Sequence, residues 1–131
     1  SEAFQNRTTF NEDISGWDVS GVTNMVRIFY EASSFNQNIS NWDISSVTDM
    51  SSMFNSATSF NGDISSWDVS SVTNMEYMLY GTSALSEENQ CLITLLSLQI
   101  PHPAAKIHSR HNLAFFCNKL LTFKLEYNLP F

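Results

Sequence analysis

Aspartates that recur at a fixed spacing are the side chains of this sequence best suited to chemistry. Asp18, Asp43 and Asp68 lie 25 residues apart, and Asp13 and Asp63 belong to a second series five positions earlier. A serine follows each member of the first series by two positions: Ser20, Ser45 and Ser70. Paired carboxylates can act as general acid and base in glycoside hydrolysis, and clustered carboxylate oxygens can bind Ca²⁺. The spacing therefore raises two hypotheses, hydrolysis and calcium binding.

The other residue types in the same region argue against catalysis. Residues 1–94 contain many serines but no histidine and no lysine, and their only cysteine is Cys91, so no hydroxyl has an ordinary base beside it. His102, His108 and His111 occur later, at a spacing unlike that of standard metal sites. Evenly solvated carboxylates also lack a pocket that would split their pKa values. We therefore predict that the protein is not an enzyme.

Calcium binding is the weaker interpretation of the aspartates. Stacked repeats would place like charges about 4.7–4.9 Å apart, where they destabilise each other unless a cation or a basic partner neutralises them. However, Asn38 interrupts the series of Asp13 and Asp63, and the glycine-rich calcium-binding nonapeptide is absent. We interpret the aspartates as solvated residues of turns and of an outer face, and we predict no cofactor.

The charge distribution limits the classes of partner. The 131-residue chain has 13 acidic residues against 6 Lys and Arg, and its net charge is −7. Nucleic acid is an unsuitable partner, because binding phosphates requires clustered cations that release counterions. Residues 1–94 contain 12 of the acidic residues and only two basic ones, whereas residues 95–131 contain four Lys and Arg. The chain therefore changes character near residue 94.

A 25-residue repeat organises the first two thirds of the chain. Three copies follow one another without a gap over residues 10–84, and residues 1–9 match the tail of a preceding copy. A fixed period of this length is typical of repeat architectures, in which each unit buries its apolar face only against its neighbours. We therefore predict a solenoid of three full coils. Positions identical in all copies include a phenylalanine (Phe10, Phe35 and Phe60), an asparagine (Asn11, Asn36 and Asn61), a tryptophan (Trp17, Trp42 and Trp67) and a methionine (Met25, Met50 and Met75).

Each copy also carries local patterns. Residues 14–19 are rich in aromatic and β-branched types and end in alternation, which predicts a short strand. Thr23 suits a helix N-cap, and Met25, Ile28 and Phe29 have the spacing of one helical face, which the residues starting at Met50 and at Met75 repeat. Each coil is thus predicted to contain one short strand and a short helical segment. We expect the Phe, Trp and Met series in interior columns and the Asn series in a side-chain ladder at turns; an exposed tryptophan strip is the alternative.

The repeat unit FNxDISxWDVSxVTNMxxMFxxAxS resembles that of BspA-type leucine-rich-repeat surface proteins, a family also described as a Mycoplasma lipoprotein repeat of unknown function. The resemblance covers residues 1–84 and recurs column by column in three copies. It implies a leucine-rich-repeat-like solenoid at a cell surface or in the extracellular space, used for adhesion or protein binding. It implies no catalytic residues.

Residues 85–94 look like the start of a helical cap that closes the array. Ser86 is suited to be the N-cap, and Glu87 and Glu88 would lie in the first turn, where acidic side chains favour the helix dipole. The cap is therefore predicted to begin directly after the third repeat.

Residues 95–131 lack the period of the repeats, so we expect them to pack loosely on the solenoid or not at all. The two cysteines, Cys91 and Cys117, both lie outside the repeats and form neither a disulfide framework nor a metal knuckle. Whether they pair with each other stays open. Three interpretations of the non-repeat tail stay open: a continuation of the cap, a second small element, or, the one we favour, sequence not selected to fold here.

The functional prediction is a non-catalytic recognition or adhesion module, extracellular or at the cell surface, that binds a protein or a glycan through its strand face. The expected binding residues are the acidic series and its serines: Asp18, Asp43, Asp68, Ser20, Ser45 and Ser70. The alternative is a structural spacer solenoid, in which length matters rather than the face; calcium stabilisation through Asp13 and Asp63 is a variant of it.

Overall fold

Closely spaced turns shape each repeat in the computed structural model, which describes residues 2–97 and residue 100. The three repeats are called coils 1 to 3: residues 10–34, 35–59 and 60–84. In coil 1 the backbone N–H of Trp17 donates to the carbonyl of Ile14 (3.1 Å), and the equivalent bonds recur in coils 2 and 3. The chain direction therefore changes at the same points in every coil.

Polar side chains fix several of these turns. The Oδ1 atoms of Asp13, Asp18 and Asn24 each accept a hydrogen bond from the backbone N–H two positions later, at 2.9, 3.1 and 3.0 Å. Asp and Asn are favoured at such positions because the short side chain reaches its own backbone and mimics a turn of the main chain. The recurring Asp and Asn residues therefore have a structural reason to occupy these columns.

Backbone hydrogen bonds join each coil to the next in parallel register. The N–H of Phe29 donates to the carbonyl of Met53 (2.9 Å), and the N–H of Thr48 donates back to the carbonyl of Thr23 (2.8 Å). Isolated parallel bridges pair Asn24 with Asp49 and Asp49 with Asn74. The coils consequently lie side by side with equivalent residues adjacent.

Residues before coil 1 form the same type of contact. The N–H of Phe4 donates to the carbonyl of Ile28 (3.0 Å), and that of Asn6 donates to the carbonyl of Tyr30 (2.7 Å). Both bonds span 24 residues, like the bond from Phe29 to Met53 one coil later. This segment thus occupies the place that the tail of a coil takes against its neighbour.

The core consists of columns that run through all three coils. Phenylalanine rings stack within the array: the centroids of Phe29 and Phe35 are 3.9 Å apart, and those of Phe29 and Phe54 are 5.5 Å apart. Burial of these apolar surfaces between neighbouring coils is the main source of stability, because one coil alone could not enclose them. The buried columns include one of phenylalanine (Phe10, Phe35 and Phe60), one of isoleucine (Ile14, Ile39 and Ile64) and one of valine and isoleucine (Val19, Ile44 and Val69).

The methionine column is also buried, but it does not lie on a helix. Met25, Met50 and Met75 are each 0 % exposed. In coil 3 the carbonyl of Met75 accepts a hydrogen bond from the N–H of Met78 (3.2 Å), and residues 76–81 form turns. The helical face predicted to start at Met75 is therefore absent, and its place is taken by a turn that directs Met75 and Met78 into the core.

Trp17 departs from the interior column predicted for the tryptophans. Trp42 and Trp67 are 5 % and 4 % exposed, whereas Trp17 is 53 % exposed. The indole N–H groups of Trp42 and Trp67 donate to the carbonyls of Ile14 and Ile39 in the preceding coil, at 3.0 and 3.1 Å. Coil 1 lacks a complete preceding coil among the described residues, so its indole is left at the surface of the stack.

Residues 14–19 do not form the predicted strand. They contain a turn at residues 15 and 16, and within the described part of the coils parallel pairing is confined to isolated bridges near Asn24 and its equivalents. The physical reason is the turn between Ile14 and Trp17, which breaks the extended run before a ladder can form. The alternation at Trp17 and Val19 corresponds to one short extended segment, residues 17–19, between two turns.

The helical segment predicted for coil 1 is likewise replaced by turns. Residues 26–31 form a series of turns in which Arg27 and Glu31 have φ angles of 54° and 56°. A residue in the left-handed region interrupts a right-handed helix, and Thr23 therefore caps none. Instead, the carbonyl of Thr23 accepts hydrogen bonds from the N–H and Oγ1 of Thr48 in coil 2.

Helix α1, Glu87–Ser97, follows coil 3 and is the only helix of the described residues. The Oγ of Ser86 accepts a hydrogen bond from the N–H of Asn89 (3.2 Å), which is the geometry of an N-cap. The helix continues past residue 94, near which the composition of the chain changes, and Ile93 and Leu96 pack into the core. No helix of this part of the chain is long and apolar enough to cross a membrane.

Cys91 is buried on α1, and its sulfur is disulfide-bonded rather than a free thiol. Of the tail at residues 95–131, which we expected to pack loosely, residues 95–97 and residue 100 are described, and Leu96 is buried. The rest of that expectation, the three histidines and Cys117 lie outside the described residues. Ile100 is itself buried with the core cluster.

The left-handed positions allow a test of the coil geometry. Ser52 has a φ of 53°, a conformation that costs an L-residue about 1–2 kcal/mol and is still less favourable for a β-branched side chain. We expect Ser52→Val to lower the free energy of unfolding by about 1–2 kcal/mol, and Ser52→Gly to change it by no more than about 0.5 kcal/mol. Urea unfolding followed by fluorescence measures both; equal stability of the two variants would contradict the turn geometry.

Candidate functional site

The aspartates of the first series form an exposed column, one per coil, called here the acidic column: Asp18, Asp43 and Asp68. The Oδ1 of Asp18 accepts hydrogen bonds from the Oγ (2.6 Å) and the N–H (3.1 Å) of Ser20, and Asp43 has the same two bonds from Ser45. The Oδ1 of Asp68 accepts from the N–H of Ser70 at 3.0 Å. These bonds fix each carboxylate in one orientation at the surface.

The same hydrogen bonds keep the acidic column ionised. In each member the side-chain hydrogen bond from the following serine is the largest cause that lowers the pKa below its ordinary value, and the backbone hydrogen bond is the second. For Asp43, the neighbouring charges of Asp18 and Asp68 act in the opposite direction and raise its pKa, but they are smaller causes. Repulsion along the column is therefore outweighed, and the column carries three negative charges at neutral pH.

The serines beside the acidic column are engaged with it. The hydroxyls of Ser20 and Ser45 donate to carboxylate oxygens, so these two groups serve the turn and hold the acid in place. A hydrogen bond from residue i+2 to the side chain of residue i closes a local turn. The arrangement therefore presents one fixed carboxylate per coil at the surface.

The second series contains Asp13 and Asp63, and its hydrogen bonds show which side-chain atom the turn requires. The N–H of Ser15 donates to Asp13 at 2.9 Å, and the N–H of Ser65 donates to Asp63 at 2.9 Å. Asn38 occupies the equivalent position in coil 2, and its Oδ1 accepts from Ser40 in the same way, at 3.0 Å from N and 2.7 Å from Oγ. An acceptor oxygen is therefore sufficient at this position, and a negative charge is not needed for the fold.

These two aspartates are the calcium candidates of the sequence. Asp13 has a lowered pKa, caused first by the backbone hydrogen bond from Ser15. Within the residues that the structure describes, no group of three or more His, Cys, Asp or Glu side chains is arranged to hold a metal ion. The uncharged Asn38 lies between Asp13 and Asp63 in the stack, so the two carboxylates are not neighbours.

The asparagine series forms a ladder between coils. The Oδ1 atoms of Asn11, Asn36 and Asn61 each accept the backbone N–H 25 residues later, that of Asn36, Asn61 and Ser86 respectively, all at 2.9 Å. The bonds connect neighbouring coils and extend to the residue that caps α1. Asn89 adds a contact that sequence reasoning missed, because its amide donates to the carbonyl of Asn61 at 2.9 Å. The ladder is thus part of the fold.

The turns at residues 26–31 and their equivalents expose aromatic side chains that sequence reasoning did not single out. Tyr77 and Tyr80 of coil 3 are 51 % and 64 % exposed, and their ring centroids lie 6.3 Å apart at an angle of 84°. In coil 1 the Cζ of Arg27 lies 5.6 Å from the centroid of the Tyr30 ring. The available signal was the departure of coil 3 from the other copies, since only coil 3 has tyrosine at both positions.

Comparison with known proteins assigns the chain a family. The family model described as a Mycoplasma protein of unknown function, DUF285, matches residues 1–93. No curated protein and no solved structure matches the chain. The matched range includes all three coils and the first part of α1, so it contains the acidic column and both exposed tyrosines.

Proposed function

The chain belongs to the DUF285 family of Mycoplasma proteins of unknown function, and from this premise we propose that it is a non-catalytic recognition module. The module is a leucine-rich-repeat-like solenoid of an extracellular or cell-surface protein, and it binds its partner through the acidic column. The single observation that carries the proposal is the column itself: three ionised carboxylates, one per coil, each held in a fixed orientation by a serine.

The chemistry of the column favours a basic protein as partner. Residues 2–97 contain no lysine, and their only basic side chains are Arg7 and Arg27, so the described surface attracts cations along its length. Fixed orientation matters because a carboxylate that is already ordered loses little conformational entropy when it pairs with a cation. Three coils expose a small patch, and affinity in a longer array would grow by repetition of the same contact.

A disulfide-bonded Cys91 supports the proposed location, since disulfides persist mainly in extracellular and other oxidising compartments. Two alternatives follow from other features. A spacer would use the stack only for its length, in which case the acidic column has no partner. A glycan ligand bridged by cations would also use the column, and it would differ by requiring a divalent ion for binding.

The test removes the charge of the acidic column while keeping its shape. Asn38 of the second series accepts the same two bonds, from the N–H and Oγ of the serine two positions later, as Asp18 and Asp43 do. The three changes Asp18→Asn, Asp43→Asn and Asp68→Asn together should therefore leave the fold intact. A lysine-rich peptide is the probe, and its affinity should fall roughly tenfold in the triple variant at low salt, with the difference shrinking as salt rises. Titration calorimetry at several salt concentrations measures both effects.

A matched variant separates the column from the overall charge. Glu12→Gln, Asp13→Asn and Asp63→Asn together remove three negative charges outside the acidic column, at exposed positions. This variant should bind the lysine-rich peptide nearly as well as the unmodified chain. Equal losses of affinity in the two triple variants would show that only net charge matters. An unchanged affinity in the acidic-column variant would favour the spacer.

A further inference from the structure

The turn side of the coils carries two columns of side chains. Its first column is held in the left-handed backbone region in every coil: Arg27, Ser52 and Tyr77 have φ angles of 54°, 53° and 55°. The second column lies three positions later along the chain: Tyr30, Asn55 and Tyr80. Because the φ angles at the first column agree within 2°, a pair in one coil can be compared with its equivalents in the others.

Coil 1 shows what this pair of positions can bind. There the guanidinium carbon of Arg27 lies 5.6 Å from the centroid of the Tyr30 ring, within the range of a cation–π contact. Arg27 also contacts Glu2 at 3.9 Å. Within coil 1, the turn therefore brings an arginine side chain over the ring of the tyrosine three positions later.

Coil 3 keeps the tyrosine but has a second aromatic ring where coil 1 has the arginine. Tyr77 and Tyr80 meet edge to face, with centroids 6.3 Å apart and planes at 84°, and more than half of each side chain is exposed. Both rings therefore have exposed surface where they meet at right angles. A planar guanidinium can stack on the face of one ring while its rim contacts the other.

In coil 3 the bulky Tyr77 occupies the left-handed position of the turn. Its φ of 55° is costly for a bulky L-residue, whereas glycine occupies another left-handed position of the same coil, Gly81, with φ 75°. Ser52 adopts the same conformation in coil 2 with a small side chain. The left-handed turn therefore accepts arginine, serine and tyrosine, so the turn itself does not require a ring at this position.

Charge favours a cation as the group that meets these rings. Glu76 precedes Tyr77 in the chain, and coil 3 contains no basic side chain. We propose that Tyr77 and Tyr80 form a tyrosine surface that binds an arginine side chain of a basic partner protein. The proposal rests on the proposed function for the class of partner and deepens it, because it names the residue type that coil 3 recognises.

Two synthetic peptides test the proposal on the full chain. They have equal length and charge, one alternating arginine with serine and the other alternating lysine with serine. Both should bind the acidic column as cations, but only arginine stacks its planar group on a ring. We expect the arginine peptide to bind about threefold to tenfold more tightly than the lysine peptide, measured by titration calorimetry.

The decisive variant copies the turn of coil 2 into coil 3. Tyr77→Ser together with Tyr80→Asn gives the residues that coil 2 already has at Ser52 and Asn55, so the fold should be retained, which urea unfolding checks. In this variant the ratio of the two affinities should fall to about one. Tyr77→Phe with Tyr80→Phe keeps the rings, and it should keep the preference for arginine.

Several outcomes would overturn the tyrosine surface. They are an arginine preference that persists in the Ser and Asn variant, a preference lost in the Phe variant, or no measurable binding of the arginine peptide at low salt. Binding of a neutral oligosaccharide that depends on both tyrosines, without a preference for arginine, would replace the protein partner by a glycan. The Asp18, Asp43 and Asp68 triple variant should weaken both peptides equally and leave the ratio unchanged, so the two proposals can fail separately.

Discussion

Replacing Trp42 by Ala should lower the free energy of unfolding by about 3–5 kcal/mol. Trp42 is 5 % exposed, its ring lies 6.1 Å from that of Phe29, and its indole N–H donates to the carbonyl of Ile14 in the preceding coil. The substitution therefore opens a cavity between two coils and leaves the carbonyl without its indole donor. A loss of this size is a large share of the ~5–15 kcal/mol that stabilises a typical domain.

Trp17 provides the internal control for this substitution. It occupies the same position of the repeat but is largely exposed, and its indole N–H has no acceptor among the described residues. Trp17→Ala should cost less than about 1 kcal/mol, since it removes mainly a contact with the ring of Phe4. Urea unfolding compares the two variants. If Trp42→Ala unfolds at the same midpoint as the unmodified chain, the inward register of coil 2 is wrong.

Replacing Phe54 by Ala should have an effect of similar size, about 3–5 kcal/mol. The Phe54 side chain is fully buried, and its ring stacks on Phe60 in the following coil at 4.0 Å and on Phe29 in the preceding coil at 5.5 Å. One substitution therefore weakens the contacts of coil 2 with both neighbours. Because an array of stacked units depends on these nearest-neighbour contacts, loss of the central ring should unfold the array as a whole.

Phe54→Leu separates the loss of the ring from the loss of volume. Leucine fills part of the space but cannot stack, and we expect it to cost about 1–2 kcal/mol. Thermal unfolding followed by circular dichroism and by tryptophan fluorescence measures the order of stability, which should be unmodified chain, Leu variant, Ala variant. A Phe54→Ala variant as stable as the Leu variant would show that neighbouring coils close the cavity.

The period of the sequence was sufficient to predict which columns are buried, and it failed where a residue depends on its neighbour. Phe35 belongs to one buried column, and Met50 and Met75 belong to another. Both columns pack from coil to coil, so recurrence itself indicates burial. Trp17 has the same sequence signal as Trp42, yet its exposure is determined by the coil beside it, which a repeat pattern does not describe. The prediction treated coil 1, which is preceded only by residues 2–9 in the described part of the chain, like coils 2 and 3.

Local structure was harder to predict, because the turn pattern resembles a helical one. Met25, Ile28 and Phe29 have helical spacing, and the residue that interrupts the helix is Arg27, which carries no sequence signal for a positive φ. A glycine appears at one of the left-handed positions, Gly81 of coil 3, and a single glycine was too weak a signal. The Asn24 turn, by contrast, was readable in principle, since Asn favours a bond to the N–H two positions later.

The sequence indicated the negative charge of the candidate site but not the hydrogen bonds that hold its side chains. Recurrence indicated that the acidic column is exposed, and the serines were expected to bind a ligand with it. The sequence did not indicate that the hydroxyls of Ser20 and Ser45 donate to Asp18 and Asp43 and so hold the acids in place. The tyrosine surface was missed because it interrupts the repeat, and a search for recurrence overlooks residues that occur in one copy.

The hydrogen bonds between coils run along the axis of the stack, and this gives the array a distinctive response to tension. A pull on its two ends loads bonds such as that from Phe29 to Met53 directly, one interface after another, rather than shearing them together. A folded coil adds about 5 Å of length, whereas 25 extended residues span about 80–90 Å. Each coil that unfolds under tension should therefore lengthen the chain by many times the folded length of that coil, while the remaining coils stay folded.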